Sequence, residues 1–144
     1  MFTGQYTHTL DEKNRLSLPV KFRKEVGKKI MLTPGLDGCV FGFSLKEWGS
    51  ISEKLGESSM LQSDARSFNR YMFGGAVEAE VDAIGRILVP DFLRDRSGLK
   101  GKVVIVGVRN RIEIWNEKQW IAFNTEVDKK ADALAEKLGQ VGIL

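Results

Sequence analysis

Two short segments of the chain set a carboxylate and a guanidinium at the same spacing, Asp11 with Arg15 and Asp82 with Arg86. A guanidinium is always charged and presents a planar fork of donors. It can bond two acceptors of a guanine edge at once, or a phosphate, or a carboxylate of its own chain. An aspartate four residues earlier can accept the amides of a turn and shape it. The residues alone therefore leave two readings open: an internal ion pair that stabilises each turn, or an arginine presented to nucleic acid. In the second reading Arg15 and Arg86 make base or groove contacts, and Lys13, Lys21, Arg23 and Arg94 contact the phosphate backbone.

These residues sit inside an internal repeat. At an offset of 71, Leu10, Asp11, Arg15, Leu16, Leu18, Pro19, Phe22 and Arg23 fall on Val81, Asp82, Arg86, Ile87, Val89, Pro90, Leu93 and Arg94. At an offset of 72, Val40-Phe-Gly-Phe43 and Trp48 fall on Ile112-Glu-Ile-Trp115 and Trp120, so one residue has been inserted between the blocks. Each copy reads as strand, turn, strand, short helical turn, strand, strand. Asn14 and Gly85 are equivalent and are residue types that tolerate positive φ, which puts a tight turn just before each arginine; with Asp11 and Asp82 they shape it. Pro19 and Pro90 end the second strand and can open a helix, kept short because Leu18 and Val89 are poor caps. The second copy is completed by strands over 102–108 and 111–115.

Two helical stretches lie outside the copies. Ile51, Leu55, Leu61, Ala65, Phe68 and Met72 keep helical spacing with a break near Gly56 and Ser58-Ser59; Trp120, Phe123, Val127, Ala131, Leu134 and Leu138 do the same up to Gly139. Both stripes read as core. The predicted organisation is a first module over 5–50, a helical linker over 51–76, a second module over 77–121, and a C-terminal helix and tail over 122–144. A module of about 45 residues rarely builds a sufficient core alone, so packing between copies or subunits is expected.

Composition narrows the function classes. Net charge is +3, yet residues 11–29 and 82–111 each hold seven cations against three carboxylates, so positive charge is concentrated in the repeats. No apolar run approaches the ~18–20 residues of a membrane span, and the N-terminus lacks the pattern of a signal peptide, which points to the cytoplasm. With one histidine, His8, and one cysteine, Cys39, no His/Cys metal cluster or Ser-His-Asp set can be assembled, so neither an enzyme nor a cofactor is expected. His8 reads as structural and Cys39 as inert. Lys28-Lys29 and Lys129-Lys130 read as solvated faces, and Gly74-Gly75 lacks the Lys-Ser/Thr of a phosphate loop.

The segments Thr9-Leu-Asp-Glu-Lys-Asn-Arg-Leu-Ser-Leu-Pro19 and Val81-Asp-Ala-Ile-Gly-Arg-Ile-Leu-Val-Pro90 resemble the paired Asp-x-x-x-Arg motifs of the MraZ family of bacterial transcriptional regulators. The resemblance runs from Met1-Phe2-x-Gly4 through Phe68-Asn-Arg-x-x-Phe-Gly-Gly-Ala76 to Gly107-Val-x-x-x-Ile-Glu-Ile-Trp115. It implies an α+β, β-rich fold: a tandem-duplicated, AbrB-like swapped-hairpin barrel with linking and C-terminal helices. It also implies a ring-like homo-oligomer, associated with the nucleoid, that binds short direct repeats of double-stranded DNA upstream of the cell-division and cell-wall operon, as a repressor. Arg15 and Arg86 carry over as the key DNA contacts, with Lys13, Arg23 and Arg94 as weaker ones. A ring-forming interaction protein without DNA binding is the alternative. Asn14 stands where the family usually has Gly, and Ala83-Ile84 offers no cation to match Lys13, so the first turn is expected to bind more tightly.

Overall fold

A computed structural model describes residues 1–143. The first copy forms β1 (Phe2–Thr9), β2 (Arg15–Ser17), α1 (Val20–Val26), β3 (Lys29–Pro34) and β4 (Val40–Ser44), followed by α2 (Leu45–Gly56) and α3 (Ser63–Gly74). The second forms β5 (Val77–Glu80), β6 (Arg86–Leu88), α4 (Asp91–Ser97), β7 (Lys102–Arg109) and β8 (Arg111–Asn116), followed by α5 (Glu117–Gln140). The fold is α+β and β-rich, and the element order of the first copy recurs in the second.

The strands of the two copies are interleaved. A six-stranded antiparallel sheet runs β1-β7-β8-β4-β3-β5, and β2 pairs with β6 in a separate ribbon. β1 pairs along its whole length with β7 of the other copy, from Phe2 opposite Arg109 to Thr9 opposite Lys102. β5 pairs in the same way with β3. The two hairpins meet at β4 and β8, where Gly42 lies opposite Ile112. A Cβ on Gly42 would come 2.7 Å from Ile112 Cγ1, so glycine makes room for the isoleucine at this joint. The order is pseudo-two-fold about the β4–β8 seam. No ladder joins β1 to β5, so the sheet is open at those edges rather than hydrogen-bonded into a closed barrel.

Alternation along the strands gives the sheet two apolar faces. Val103 and Ile105 of β7 enter a cluster with Leu16, Leu18, Phe22, Ile87, Val89 and Leu93, which seats the β2–β6 ribbon, α1 and α4 on one face. Val104 and Val106 enter a second cluster with Phe41, Phe43 and Trp115 on the other face. Phe22 is fully buried and meets the ring edges of Phe2 and Tyr6 at 5.2 and 5.3 Å. Burying each such side chain is worth about 1.5–3 kcal/mol, and the larger cluster draws on both copies throughout.

Helix boundaries follow local chemistry. α1 and α4 are seven residues each. Pro19 and Pro90 stand one position before the helix, supplying no side-chain cap, and Gly98 at φ 62 turns the chain out of α4. Ser44 accepts the Glu47 amide at the start of α2, and Asn116 accepts the Gln119 amide at the start of α5. The expectation that the helical stripes form core is corrected here. α3 buries only Met72, and α2 and α5 bury no residue fully. Trp120 and Phe123 lie 5.4 and 5.1 Å from Trp115, but Ala131, Leu134 and Leu138 are exposed. A 24-residue helix is about 36 Å long and overruns the sheet face on which its first turns rest.

Candidate nucleic-acid interface

Both Asp-x-x-x-Arg segments fold into the same three-residue hairpin loop. In the first, the Asn14 amide donates to the Asp11 carbonyl at 2.9 Å and the Asp11 amide donates to the Arg15 carbonyl at 3.0 Å. In the second, Gly85 donates to Asp82 at 3.0 Å and Asp82 to Arg86 at 2.9 Å. Asn14 (φ 61) and Gly85 (φ 85) supply the left-handed residue that such a loop requires. Sequence had placed the turns and their positive-φ residues at these positions.

The aspartates organise the loops from inside. Asp11 Oδ1 accepts the amides of Lys13 (2.8 Å) and Arg15 (2.9 Å), and Asp82 Oδ1 accepts those of Ile84 (3.1 Å) and Arg86 (2.9 Å). The second oxygen of each takes an arginine: Arg15 Nε donates to Asp11 Oδ2 at 2.7 Å and Arg86 Nε to Asp82 Oδ2 at 2.8 Å. Both carboxyls are held below their ordinary pKa, first by the backbone amide of the following arginine, which together with that arginine's side chain and the other loop amide outweighs the cost of desolvation. The ion pair that the residues allowed is therefore formed, and it does not use up the arginine. In each turn it is Nε that bonds the turn's own aspartate, and among the described residues the terminal nitrogens make no hydrogen bond to it. The side chains stay about three-tenths exposed, 31% for Arg15 and 27% for Arg86.

The two loops are neighbours. In the ribbon, Arg15 pairs with Leu88, Leu16 with Ile87 and Ser17 with Arg86. The ribbon ends on the opposite loops: the Leu18 amide donates to the Gly85 carbonyl at 2.9 Å, and the Val89 amide to the Asn14 carbonyl at 3.3 Å. Arg86 Nη1 also stands 3.9 Å from Asp11 Oδ2, linking the turns through charge. Sequence reasoning missed this juxtaposition, because nothing in residue spacing says that β2 pairs with its own duplicate.

The remaining candidate cations are placed differently from one another. Lys13 is exposed at the tip of the first loop, where the second has the exposed Ile84. Lys21 is exposed on α1 and donates to Thr3 Oγ1 at 2.9 Å. Arg23 and Arg94 are half-buried beneath the loops; Arg23 Nε donates to the Leu18 carbonyl at 2.7 Å and Arg94 Nε to the Val89 carbonyl at 3.0 Å. His8 lies in β1, half-buried. Cys39 is buried, its thiol pushed up to about 12 by desolvation, and it donates to the Leu36 carbonyl at 3.3 Å. Among the described residues no helix is long and apolar enough to cross a membrane.

Duplicated β-hairpin modules that share one sheet and present two aspartate-braced arginine turns side by side define a class of paired-turn protein. A family model described as "MraZ protein, putative antitoxin-like" matches residues 1–71 and again 72–140, and the chain belongs to the MraZ family. It is 46% identical over 143 residues to a protein named transcriptional regulator MraZ from Caldicellulosiruptor bescii, covering 99% of this chain and 100% of that one. It is similar at 43% to the protein of that name from Acetivibrio thermocellus, with the same coverage, and at 44% to that from Ligilactobacillus salivarius, over 96% of each chain.

Proposed function

We propose that the protein binds double-stranded DNA through the paired turns and regulates transcription. The observation that carries this reading is the bracing of Arg15 and Arg86, each by its own aspartate, on adjacent loops of one ribbon. A guanidinium fixed at Nε gives up little freedom when its terminal nitrogens meet a guanine edge or a phosphate. Lys13, exposed at the loop tip, and Lys21 on α1 supply phosphate contacts. The relatives' name supports regulation of transcription, and the position of the cations supports DNA rather than a small molecule as the partner.

The finer reading rests on the family resemblance. The chain assembles into a ring in the cytoplasm, associates with the nucleoid, and represses the cell-division and cell-wall operon by placing turns from successive subunits on short direct repeats. Weak single contacts then add through multivalency. The interleaved strands support an AbrB-like swapped-hairpin arrangement, with modules over 5–50 and 77–121, a helical linker over 51–76 and a C-terminal helix and tail over 122–144. One observation favours the alternative of an interaction protein without DNA binding, namely the exposed apolar stripe along α5.

The deciding experiment is a mobility-shift assay of wild type and Arg15→Ala on the DNA upstream of the protein's own coding sequence. Loss of the shift in the variant, with unchanged light scattering, is expected. Equal binding by the two proteins removes the proposal, and absence of binding by both folded proteins favours the alternative.

A further inference from the structure

Arg23 and Arg94 carry the same hydrogen bond at equivalent places in the two copies, and in each case the bond leads into the other copy. Arg23 Nε bonds the carbonyl of Leu18, whose amide holds the Gly85 carbonyl of the second turn. Arg94 Nε bonds the carbonyl of Val89, whose amide holds the Asn14 carbonyl of the first turn. The contact at Gly85 is direct as well. A Cβ at that glycine would lie 2.1 Å from Arg23 Nε and 2.2 Å from Arg23 Cζ, so the guanidinium lies against the loop backbone. Gly85 is buried although its loop neighbours Ala83 and Ile84 are exposed. The same pairing lines two equivalent open hollows, one with Arg23, Asp82 and Gly85, the other with Arg94, Asp11 and Asn14.

We infer that Arg23 and Arg94 are crossed positioning residues: Arg23 fixes the second turn and so aims Arg86, and Arg94 fixes the first turn and so aims Arg15. The planar guanidinium is what the place demands, since it bonds the carbonyl at Nε and lies flat against the loop at once; a lysine ammonium can do only the first. The supports are unequal. Arg94 is also paired with Asp91, whereas the equivalent of Asp91 is Val20 and Arg23 forms no ion pair among the described residues. Arg23 is therefore held at the second turn without an ion pair of its own, and it is the more sensitive of the two.

The positioning role is independent of DNA, and its effect on affinity rests on the DNA-binding reading above; two measurements on the full chain keep them apart. The first is amide hydrogen exchange without DNA. In Arg23→Ala and Arg23→Lys, exchange at Gly85 and Arg86 rises about tenfold, the loss of one net hydrogen bond, while Asn14 and Arg15 are unchanged; Arg94→Ala gives the reverse pattern. Unchanged exchange at Gly85 and Arg86, or an equal rise in both turns, overturns the inference whatever happens with DNA. The second is titration of the upstream DNA over a range of salt. Arg23→Ala weakens binding, but the slope of log K against log salt is preserved, and Arg23→Lys does not rescue. In an Arg86→Ala background Arg23→Ala has no further effect, because it acts through Arg86. A slope reduced by about 0.9 with rescue by lysine identifies Arg23 as a phosphate contact and overturns the inference. If wild type binds no DNA, the functional reading fails and the exchange pattern alone decides the positioning role.

Discussion

At the residue scale, each aspartate does two things with two oxygens: one gathers the loop amides and the other points the arginine. Replacing Asp11 by Ala leaves the Lys13 and Arg15 amides without acceptors and lets the guanidinium swing, so DNA affinity falls even though a negative charge has been removed. An electrostatic account predicts the opposite sign, which makes Asp11→Ala in a binding titration a sharp test. The pH dependence also has a definite direction. Because both carboxyls are depressed below 3.8, their contribution to folding is complete above that value and is lost only as pH falls through the lowered folded values. The Arg15 and Arg86 amide resonances should therefore titrate with midpoints under 3.8, and a midpoint at or above it contradicts the braced loop. At the loop tips, Ile84→Lys restores the missing counterpart of Lys13 and is expected to strengthen binding at low salt and steepen the salt dependence by about one phosphate contact.

At the scale of elements, the close approaches inside the sheet are the sensitive points. Gly107 lies opposite Gly4 where β1 crosses β7, and a Cβ there would come 2.4 Å from the Thr3 amide nitrogen. That neighbour is backbone and cannot rotate away. Gly107→Ala is expected to cost about 1–3 kcal/mol in urea unfolding, by forcing β1 off the sheet. Phe22→Ala, which empties the space between Phe2, Tyr6 and the ribbon, is expected to cost about 3–5 kcal/mol. The order of strands and short helices was legible in the sequence because turn residues punctuate it: Asn14, Gly85, Pro19 and Pro90 mark each boundary to within a residue or two. The loops were legible for the same reason. Cross-copy pairing was not, since Leu16 and Ile87 carry the same apolar signal whichever ribbon they join. The stripe of α5 was misread because periodicity reports that a face is apolar and not that anything covers it.

At the scale of the molecule, interleaving makes the halves interdependent. Among the described residues the first strand of each copy has its only ladder with the other copy's hairpin, so neither half retains a complete sheet alone. Cutting the chain between Gly75 and Ala76 should leave two fragments that are unfolded when separate and recover strand content when mixed, as circular dichroism would show. α5 stands at the other extreme. Truncating the chain after Thr125 takes away no buried residue among those described, so the midpoint of thermal unfolding is expected to change little, while light scattering reports whether the exposed stripe serves assembly.

The duplication has a consequence for direction. A head with an exact two-fold axis reads a DNA site identically from either strand and is suited to palindromes. Here the axis is only approximate: lysine stands at one loop tip and isoleucine at the other, and one supporting arginine has a carboxylate partner that its twin lacks. Fusing two copies into one chain lets each drift separately, which two identical subunits can never do. The head thereby acquires a front and a back, and a molecule with a front and a back can be laid along DNA in a row, every copy facing the same way.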